Sequence, residues 1–149
     1  MNEVRLIEGR KIVDDRGALS CVNGFDFKGV KRAYMVENHD SHFTRAWHSH
    51  KIEGKYVQVV SGAAIVVAVP LKVFDEMGPD ANISPRRYIL ASDVPSVLWI
   101  PPGYANGFKN LTADTKIMFY STCSFDEAKG DDYRWPCTYF GDCFEIKER

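Results

Sequence analysis

Arg45-Ala46-Trp47-His48-Ser49-His50-Lys51 is the stretch that decides the fold of this chain, and it leads into a second run, Gly54-Lys55-Tyr56-Val57-Gln58-Val59-Val60-Ser61-Gly62. Side chains alternate between the two faces of a β-strand, so the imidazoles of His48 and His50 are predicted to share one face. Residues 99–110 show the same pattern of a turn that leads into a strand. The sequence therefore predicts polar strands, one of which carries two histidines on a common face.

The size and composition are those of one globular domain rich in strands. The chain has 149 residues, of which 45% are hydrophobic, and it includes nine Phe, seven Tyr and three Trp. A chain of this length buries a substantial core without disulfides or metals, and disordered sequences contain far fewer aromatic residues. We therefore expect a single domain over residues 1–149, without a linker or an internal repeat.

Charge and cysteine content exclude several kinds of partner. The formal net charge is −1 and the acidic and basic residues are interleaved. The basic stripe of a nucleic-acid-binding protein is missing, so no nucleic acid partner is expected. No apolar run approaches the length of a signal peptide core or a membrane span, which predicts a soluble, cytoplasmic protein without a membrane partner. The four cysteines form no C-x-x-C pair, so no structural zinc site is expected. Without export they should stay reduced thiols.

Short apolar segments separated by turn residues predict an all-β sandwich or barrel. Residues 63–69 are apolar at every position, so this strand should be buried on both faces, against the barrel interior and against a second sheet or a partner subunit. Ser61-Gly62 before it predicts a hairpin turn. We expect a helical turn at residues 126–130, and then an aromatic tail that packs back onto the barrel or a neighbour. Further strands are predicted at residues 30–36, 43–48, 55–60, 86–90, 96–100, 105–110 and 116–123, with two short ones within the first 22 residues.

The two polar stretches resemble the two sequence blocks of the cupin superfamily, small jelly-roll β-barrels that bind a metal through three histidines and a glutamate. Lys55 takes the place of that glutamate, and Asn106 takes the place of the third histidine. An ammonium group offers no lone pair to a metal and repels a divalent cation. The resemblance implies an all-β cupin barrel, while these two substitutions argue against a metal or another cofactor.

Among the cupins, the details resemble the dTDP-4-dehydrorhamnose 3,5-epimerases. Residues 45–48 are similar to their R-G-L-H, residues 54–62 to their G-K-L-V-R-V-V-x-G, and residues 100–108 to their I-P-x-G-F-A-H-G-F. Asp15-Arg16-Gly17 follows the D-x-R-G near their start. Each match is short, and the combination over residues 15–135 makes the resemblance specific.

The resemblance implies an enzyme that moves protons on a nucleotide-linked 4-keto-6-deoxy sugar, with dTDP as the expected nucleotide. The carbonyl acidifies the hydrogens on carbons 3 and 5, so one base and one group that stabilises the enolate suffice. The resemblance makes His48 the general base, and it places Lys55 in the same barrel, where the ammonium would stabilise the enolate and lower the pKa of His48. Arg16 and Arg45 are candidates for phosphate and sugar contacts, because guanidinium groups match phosphate.

The proton donor is the main departure from the family pattern. The family's proton-donating tyrosine falls on Phe119. Tyr120 is adjacent and is the candidate donor, although a shift of one residue moves a strand side chain to the opposite face. One of the other tyrosines of the chain is the alternative donor. Tyr34, Asn106 and Phe119 complete the set of residues expected to bind the substrate.

Two other functions stay open. Residues 31–34 and 45–51 resemble the K-R-x-Y and R-G-x-H-x-H-K of sugar 3,4-ketoisomerases with the same barrel, in which His50 would help His48 to move a proton between neighbouring carbons. The second alternative is a module that binds the sugar without converting it, because Phe119 lacks a hydroxyl that could donate a proton. Family members bind the nucleotide across a two-fold dimer, so the resemblance also implies a homodimer.

Overall fold

The computed structural model describes residues 3–74 and 78–149. Within these ranges the chain forms twelve β-strands and one short α-helix. The strands are β1 (Arg5–Glu8), β2 (Arg10–Asp14), β3 (Gly17–Cys21), β4 (Arg32–Glu37), β5 (Thr44–His50), β6 (Lys55–Ser61), β7 (Ala63–Pro70), β8 (Arg86–Ala91), β9 (Ser96–Ile100), β10 (Tyr104–Asn110), β11 (Lys116–Ser121) and β12 (Tyr133–Arg134), and the helix α1 (Phe125–Lys129) lies between the last two.

Ten of these strands form two five-stranded antiparallel sheets that enclose one apolar interior. The first sheet has the order β1-β9-β6-β11-β4, and the second has the order β12-β5-β10-β7-β8. β2 and β3 pair only with each other in a separate hairpin. Strands that are consecutive in the chain lie in opposite sheets at several points, as in a jelly roll. The predicted fold class, an all-β cupin barrel, is confirmed.

The barrel interior changes from apolar to polar along the strands of the first sheet. Val57, Leu98 and Ile117 are fully buried, and burying such a side chain contributes about 1.5–3 kcal/mol relative to leaving it in water. The apolar end therefore stabilises the barrel, which leaves the polar end available for a site. The rows of neighbouring inward residues, from the apolar to the polar end, are Val36-Ile117-Val59, Tyr34-Phe119-Val57 and Arg32-Ser121-Lys55.

The connection between β6 and β7 differs from the sequence prediction. The predicted hairpin at Ser61-Gly62 is wrong, because β6 pairs with β9 and β11 whereas β7 pairs with β8 and β10. The chain turns here from one sheet to the other. Gly62 has φ of 71°, a left-handed conformation that glycine adopts without a steric penalty. A turn signal in the sequence marks the change of direction but not the sheet that receives the next strand.

β7 is buried on both faces, as its apolar sequence predicts. Its side chains alternate between the barrel core, which receives Ala64, Val66 and Ala68, and an outer cluster that includes Phe140 and Phe144. The cover on the outer face is the C-terminal segment, rather than a second sheet or a partner subunit. The predicted aromatic tail therefore packs back onto its own barrel, and in doing so it brings the residues before it to the polar end.

The structure also bears on the predicted helical turn, the cysteines and the loop at residues 74–85. The helical turn is α1, whose N-terminus is capped by Ser124 and Glu127. All four cysteines are free. Part of the predicted loop at residues 74–85 lies outside the described residues, namely 75–77. In the described part of the chain, no helix has the length and apolar character needed to cross a membrane.

Candidate active site

A cavity of about 400 Å³ opens at the polar end of the barrel. The two sheets and the segment that contains α1 and β12 all contribute to its wall. His48 and His50 both face it, which confirms that the two imidazoles share one side of β5. The lining residues are Arg32, Tyr34, His48, His50, Glu53 and Lys55 from the barrel, and Phe125, Ala128, Lys129, Asp132 and Arg134 from the C-terminal part.

His50 is held by hydrogen bonds on both ring nitrogens. Its Nδ1 donates to the backbone oxygen of Asp131, and because a carbonyl oxygen only accepts, Nδ1 carries the proton. The Nε2 lone pair then accepts from the Lys55 ammonium at 2.9 Å. Burial and the charge of Lys55 lower the pKa of His50, so the ring is neutral. The lone pair that a base would use is already occupied.

His48 has its ring nitrogens available. Among the described residues, no side-chain or backbone group forms a hydrogen bond with its imidazole, and the ring is half-buried against the cavity. Burial first, and then the positive charges of Lys55 and Arg134, lower the pKa of His48 to about 4. At neutral pH the ring is therefore unprotonated and offers a lone pair to the cavity.

Lys55 is a buried cation with a buried counter-ion. Burial lowers the pKa of Lys55, and the carboxylate of Glu53 opposes this change. Glu53 Oε2 lies 3.9 Å from Lys55 Nζ, and Oε1 accepts from Arg32 at 3.1 Å and from the hydroxyl of Ser121. Lysine starts from an ordinary pKa of 10.5 and histidine from 6.5, so of the two hydrogen-bonded neighbours Lys55 keeps the proton.

Tyr34 and Phe119 are neighbours across β4 and β11, and both point inward. Their rings are stacked, with centroids 5.1 Å apart and planes inclined by 8°. Phe119 is buried in the barrel core, whereas Tyr34 lines the cavity. Burial, and then the charge of Glu53, raise the pKa of Tyr34, so its phenol keeps the proton. Tyr34 is the phenol at the cavity, adjacent to the position that the family pattern gives to a tyrosine.

Tyr120 lies on the opposite side of β11, which corrects its assignment as the proton donor in this cavity. Its hydroxyl donates to Gln58 at 3.1 Å, and its ring packs against Phe25 and Phe27. Strand side chains alternate, so the residue after the inward Phe119 must point outward. The structure does not bring Tyr120 to the two histidines.

Asn106 and Arg45 show how β10 aligns β5. Asn106 faces inward and donates its amide to the backbone oxygen of His48 at 3.1 Å. Between His48 and Arg45 the pairing contains a bulge, in which two residues of β5 lie opposite Gly107. Arg45 is not part of the cavity wall. It donates to Asn38 at 2.6 Å and lines a separate depression of about 190 Å³.

Arg16 also lies away from the cavity. It sits at the turn between β2 and β3, where its side chain is 86% exposed and pairs with Asp14. Within this one chain, the structure therefore brings together His48, His50, Lys55 and Tyr34, and it leaves both predicted phosphate-binding arginines outside.

Sequence reasoning missed several residues of the site. Glu53, Asp131, Asp132 and Arg134 lie in polar segments that look like solvated loops, and Phe125 belongs to a helix of five residues. The one local signal is Glu53 next to Gly54-Lys55 in the family block. In residues 3–74 and 78–149, no group of three or more His, Cys, Asp or Glu is arranged to hold a metal ion.

The barrel and its cavity define a class of protein: a cupin in which a neutral histidine, a buried ammonium and a phenol face one polar pocket. The sequence model of the family described as dTDP-4-dehydrorhamnose 3,5-epimerase matches residues 1–141. This chain belongs to that family, which confirms the predicted resemblance.

Individual relatives agree with this assignment. A dTDP-4-dehydrorhamnose 3,5-epimerase of Sinorhizobium fredii is 29% identical over 143 residues, which cover 89% of this chain and 71% of the relative. The crystal structure of a Bacillus anthracis dTDP-4-dehydrorhamnose 3,5-epimerase with TDP and PPi bound has a TM-score of 0.73 at 23% identity, covering 98% of this chain and 87% of that one. A Thermoanaerobacterium thermosaccharolyticum sugar 3,4-ketoisomerase in complex with TDP has a TM-score of 0.66 at 23% identity, covering 92% and 91%.

The family identifies the class of activity. Its members and relatives are dTDP-sugar 3,5-epimerases and 3,4-ketoisomerases, so the predicted enzyme class, an epimerase or isomerase, is confirmed. Among the solved relatives, the Bacillus anthracis epimerase has TDP and PPi bound, the Thermoanaerobacterium thermosaccharolyticum ketoisomerase is in complex with TDP, and a Legionella pneumophila epimerase is in complex with dTDP-4-keto-L-rhamnose.

Proposed function

We propose that this protein epimerises a dTDP-linked 4-keto-6-deoxy sugar by removing a proton from a carbon next to the keto group. The observation that carries the proposal is that a neutral His48, whose imidazole forms no hydrogen bond with a described residue, faces the same cavity as the Lys55 ammonium. The cavity of about 400 Å³ is large enough for a pyranose ring and an adjoining phosphate. The epimerase relative from Sinorhizobium fredii supports the same chemistry.

The reaction needs two proton transfers and no change of oxidation state. An imidazole nitrogen of His48 takes the proton from carbon 3 or carbon 5, and the electron pair of the C–H bond forms the enolate. The Lys55 ammonium stabilises the negative charge on the former keto oxygen, where a fixed cation in a buried site is most effective. A donor on the opposite side of the sugar then returns a proton to the same carbon. The keto group reforms, and the configuration at that carbon is inverted.

Tyr34 is the donor that we propose. Its phenol is protonated and lines the cavity, whereas Phe119 beside it has no hydroxyl. The guanidinium of Arg32 lies 4.9 Å from the Tyr34 ring, and this positive charge would stabilise the phenolate formed after proton transfer. Tyr34 thus takes over the role that the family pattern gives to position 119.

Removing the Tyr34 hydroxyl tests this assignment. In Tyr34→Phe, we expect kcat to fall about 10²-fold or more, as for the loss of a general acid, while His48 continues to exchange the substrate proton with solvent. Deuterium incorporation without net epimerisation, followed by NMR, measures this separation. Tyr120→Phe is the matched control, because it removes a phenol from the outer face of the same sheet and should leave kcat within about twofold. Equal losses in both variants would contradict the assignment.

A 3,4-ketoisomerase is the second candidate, favoured by the presence of both histidines and Tyr34 at one cavity. In that reaction a proton moves between neighbouring carbons on one face of the sugar. The engaged lone pair of His50 argues against a shuttle between the two histidines and favours the epimerase. A binding module without turnover is the third candidate. It requires that no other residue replaces the proton donor that is missing at Phe119.

One experiment separates the three functions. dTDP-4-keto-6-deoxyglucose is incubated with the protein in D₂O and followed by NMR. We expect deuterium at carbon 3, carbon 5 or both, with inversion, for an epimerase. A new 3-keto product would instead support the isomerase, and an unchanged spectrum together with a measured Kd would support binding alone.

The pH dependence follows from the low pKa of His48. Since the base must be neutral, a pKa of about 4 predicts that kcat/KM stays flat down to about pH 5 and falls below that pH, because kcat/KM reports on the free enzyme. The negative diphosphate opposes Lys55 and Arg134, so it should raise the pKa of His48 in the complex and move the acid limb of kcat to higher pH. Initial rates between pH 4 and 8 measure the acid limb of kcat/KM and the acid limb of kcat. An acid limb of kcat/KM near the ordinary pKa of 6.5 would show that neither burial nor these cations lower the pKa of the base.

We also propose a homodimer in which the β2–β3 hairpin packs on a second copy. The hairpin joins neither five-stranded sheet, and an isolated two-stranded hairpin is marginal in water. Ile12 and Leu19 face each other across it and are 44% and 62% exposed. In such a dimer, Arg16 would lie near the cavity of the second copy, where its guanidinium could bind a phosphate of the substrate. Sedimentation should give a dimer at micromolar concentration, and a monomer would remove this part of the proposal.

The mouth of the cavity suits the nucleotide end of the substrate. Lys129 and Arg134 lie there beside their carboxylate partners, Asp126 and Asp132. The Phe125 ring contacts Lys129 and is 63% exposed, so its exposed part is available to stack on a base. These features support dTDP as the carrier. A cytoplasmic location stays a prediction from the sequence.

A further inference from the structure

We propose that Asp131 is a positioning residue, which holds His50 in the tautomer that accepts from Lys55 and thereby keeps the Lys55 ammonium aimed into the cavity. This inference rests on the proposed function, in which Lys55 stabilises the enolate. It concerns a residue outside the barrel strands, in the short segment between α1 and β12.

The carboxylate of Asp131 organises the loop between β5 and β6. Its Oδ1 accepts the backbone N–H of Lys51 at 2.7 Å, and its Oδ2 accepts those of Ile52 and Glu53 at 2.8 and 2.9 Å. Asp131 is 3% exposed, so the three N–H groups have little access to water. A buried carboxylate that accepts several backbone N–H groups is held in one orientation by them.

The backbone of the same residue sets the tautomer of His50. The carbonyl oxygen of Asp131 accepts from Nδ1, which leaves Nε2 as the acceptor for Lys55 at 2.9 Å. Nδ1 also lies 3.2 Å from Oε2 of Glu53, a residue of the loop that the Asp131 carboxylate binds. If a change at position 131 moves both acceptors, His50 is free to carry its proton on Nε2. That N–H would then point at the ammonium, and the hydrogen bond to Lys55 would be lost.

The same loop also carries the counter-ion of Lys55. Glu53, whose N–H is bound by Asp131, places its carboxylate 3.9 Å from Nζ and 3.1 Å from Arg32. Asp131 therefore controls both groups that contact the ammonium, the neutral ring and the negative charge. The neighbouring Asp132 has a different role, since its carboxylate accepts from Arg134 at 3.0 Å.

Asp131→Asn is the test variant, because an amide cannot accept three N–H donors and would bring an NH₂ group against one of them. We expect the ¹⁵N spectrum of the His50 ring to change from one tautomer, protonated on Nδ1, to a mixture with the Nε2–H form. We also expect kcat to fall about 10- to 100-fold with KM within about twofold, the size of effect seen when catalytic groups are slightly misplaced. Asp142→Asn, which changes an exposed aspartate paired with Lys147, is the matched control and should alter neither quantity.

Asp131→Glu keeps the carboxylate and should recover part of the kcat, which a merely space-filling role would not predict. If the Asn variant fails to fold, the unchanged protein still decides the matter. An unprotonated, pyridine-like Nδ1 in His50 overturns the proposal, as does an Asn variant with an unchanged ring spectrum and unchanged kcat. The NMR measurement needs no substrate, so it stands even if no keto sugar is turned over and the proposed function fails.

Discussion

Replacing His48 by asparagine should reduce kcat by about 10²–10⁴-fold, the contribution of a well-placed general base. Asparagine keeps a polar side chain of similar size at a half-buried position but has no lone pair basic enough to take a proton from carbon. Solvent deuterium exchange at the carbon next to the keto group should be lost together with turnover. The measurement is single-substrate kinetics combined with NMR of the substrate in D₂O.

His42→Asn is the matched control for this variant. His42 has a side chain that is 91% exposed and interacts with Asp40, so its replacement should leave both rate and exchange unchanged. Thermal unfolding should place both variants close to the unchanged protein, because the His48 ring forms no hydrogen bond with a described residue. Exchange that persists in His48→Asn would assign the base to another residue, with His50 the first to examine.

Replacing Lys55 by methionine should lower kcat by about 10²–10³-fold, as for the loss of one oxyanion-stabilising group. Methionine has a similar length but no charge, so the developing enolate would lose its fixed cation. KM should change less than kcat, because the charge on the oxygen grows mainly in the transition state. The pKa of His48 should rise toward its ordinary value, since the charge of Lys55 is one cause of its depression.

This change also has a cost for the fold. It leaves His50 Nε2 without a donor and Glu53 with Arg32 as its one remaining cationic neighbour among those described, and a buried polar group without a partner costs about 1–3 kcal/mol. Lys116→Met, at the exposed start of β11, is the control for both stability and rate. A Lys55→Met variant with unchanged kcat would contradict the role of the ammonium, whereas Lys55→Arg should retain part of the activity.

The sequence was sufficient for the features that depend on local periodicity. Alternation along a strand places His48 and His50 on one side, and the all-apolar β7 is buried on both faces. The same alternation predicts that Tyr120 and Phe119 do not both face inward. Matching motifs then located Lys55 in the same interior. The predictions from alternation hold because the side-chain directions along one strand depend on its own backbone, whereas the position of Lys55 came from the family resemblance.

Other features needed the pairing of distant segments. Tyr34 becomes the neighbour of Phe119 because β4 pairs with β11. A bulge opposite Gly107 places Arg45 opposite the inward Phe108, farther along β5 than His48, where it bonds to Asn38 and does not line the cavity. No local pattern distinguishes the turn at Gly62, which leads from one sheet to the other, from a hairpin turn. These outcomes depend on which strands the barrel closes against each other.

No sequence pattern indicates the role of Asp131. Its partners are backbone N–H groups 78 to 80 residues away, and since every residue except proline has such a group, they leave no trace in the sequence. A repeating pattern along the chain therefore specified the strands and their inward faces, and the family resemblance supplied the base with its neighbouring cation. The charge state and aim of that cation were settled by hydrogen bonds between segments that meet only once the barrel has formed, because their strength depends on burial and distance rather than on residue order.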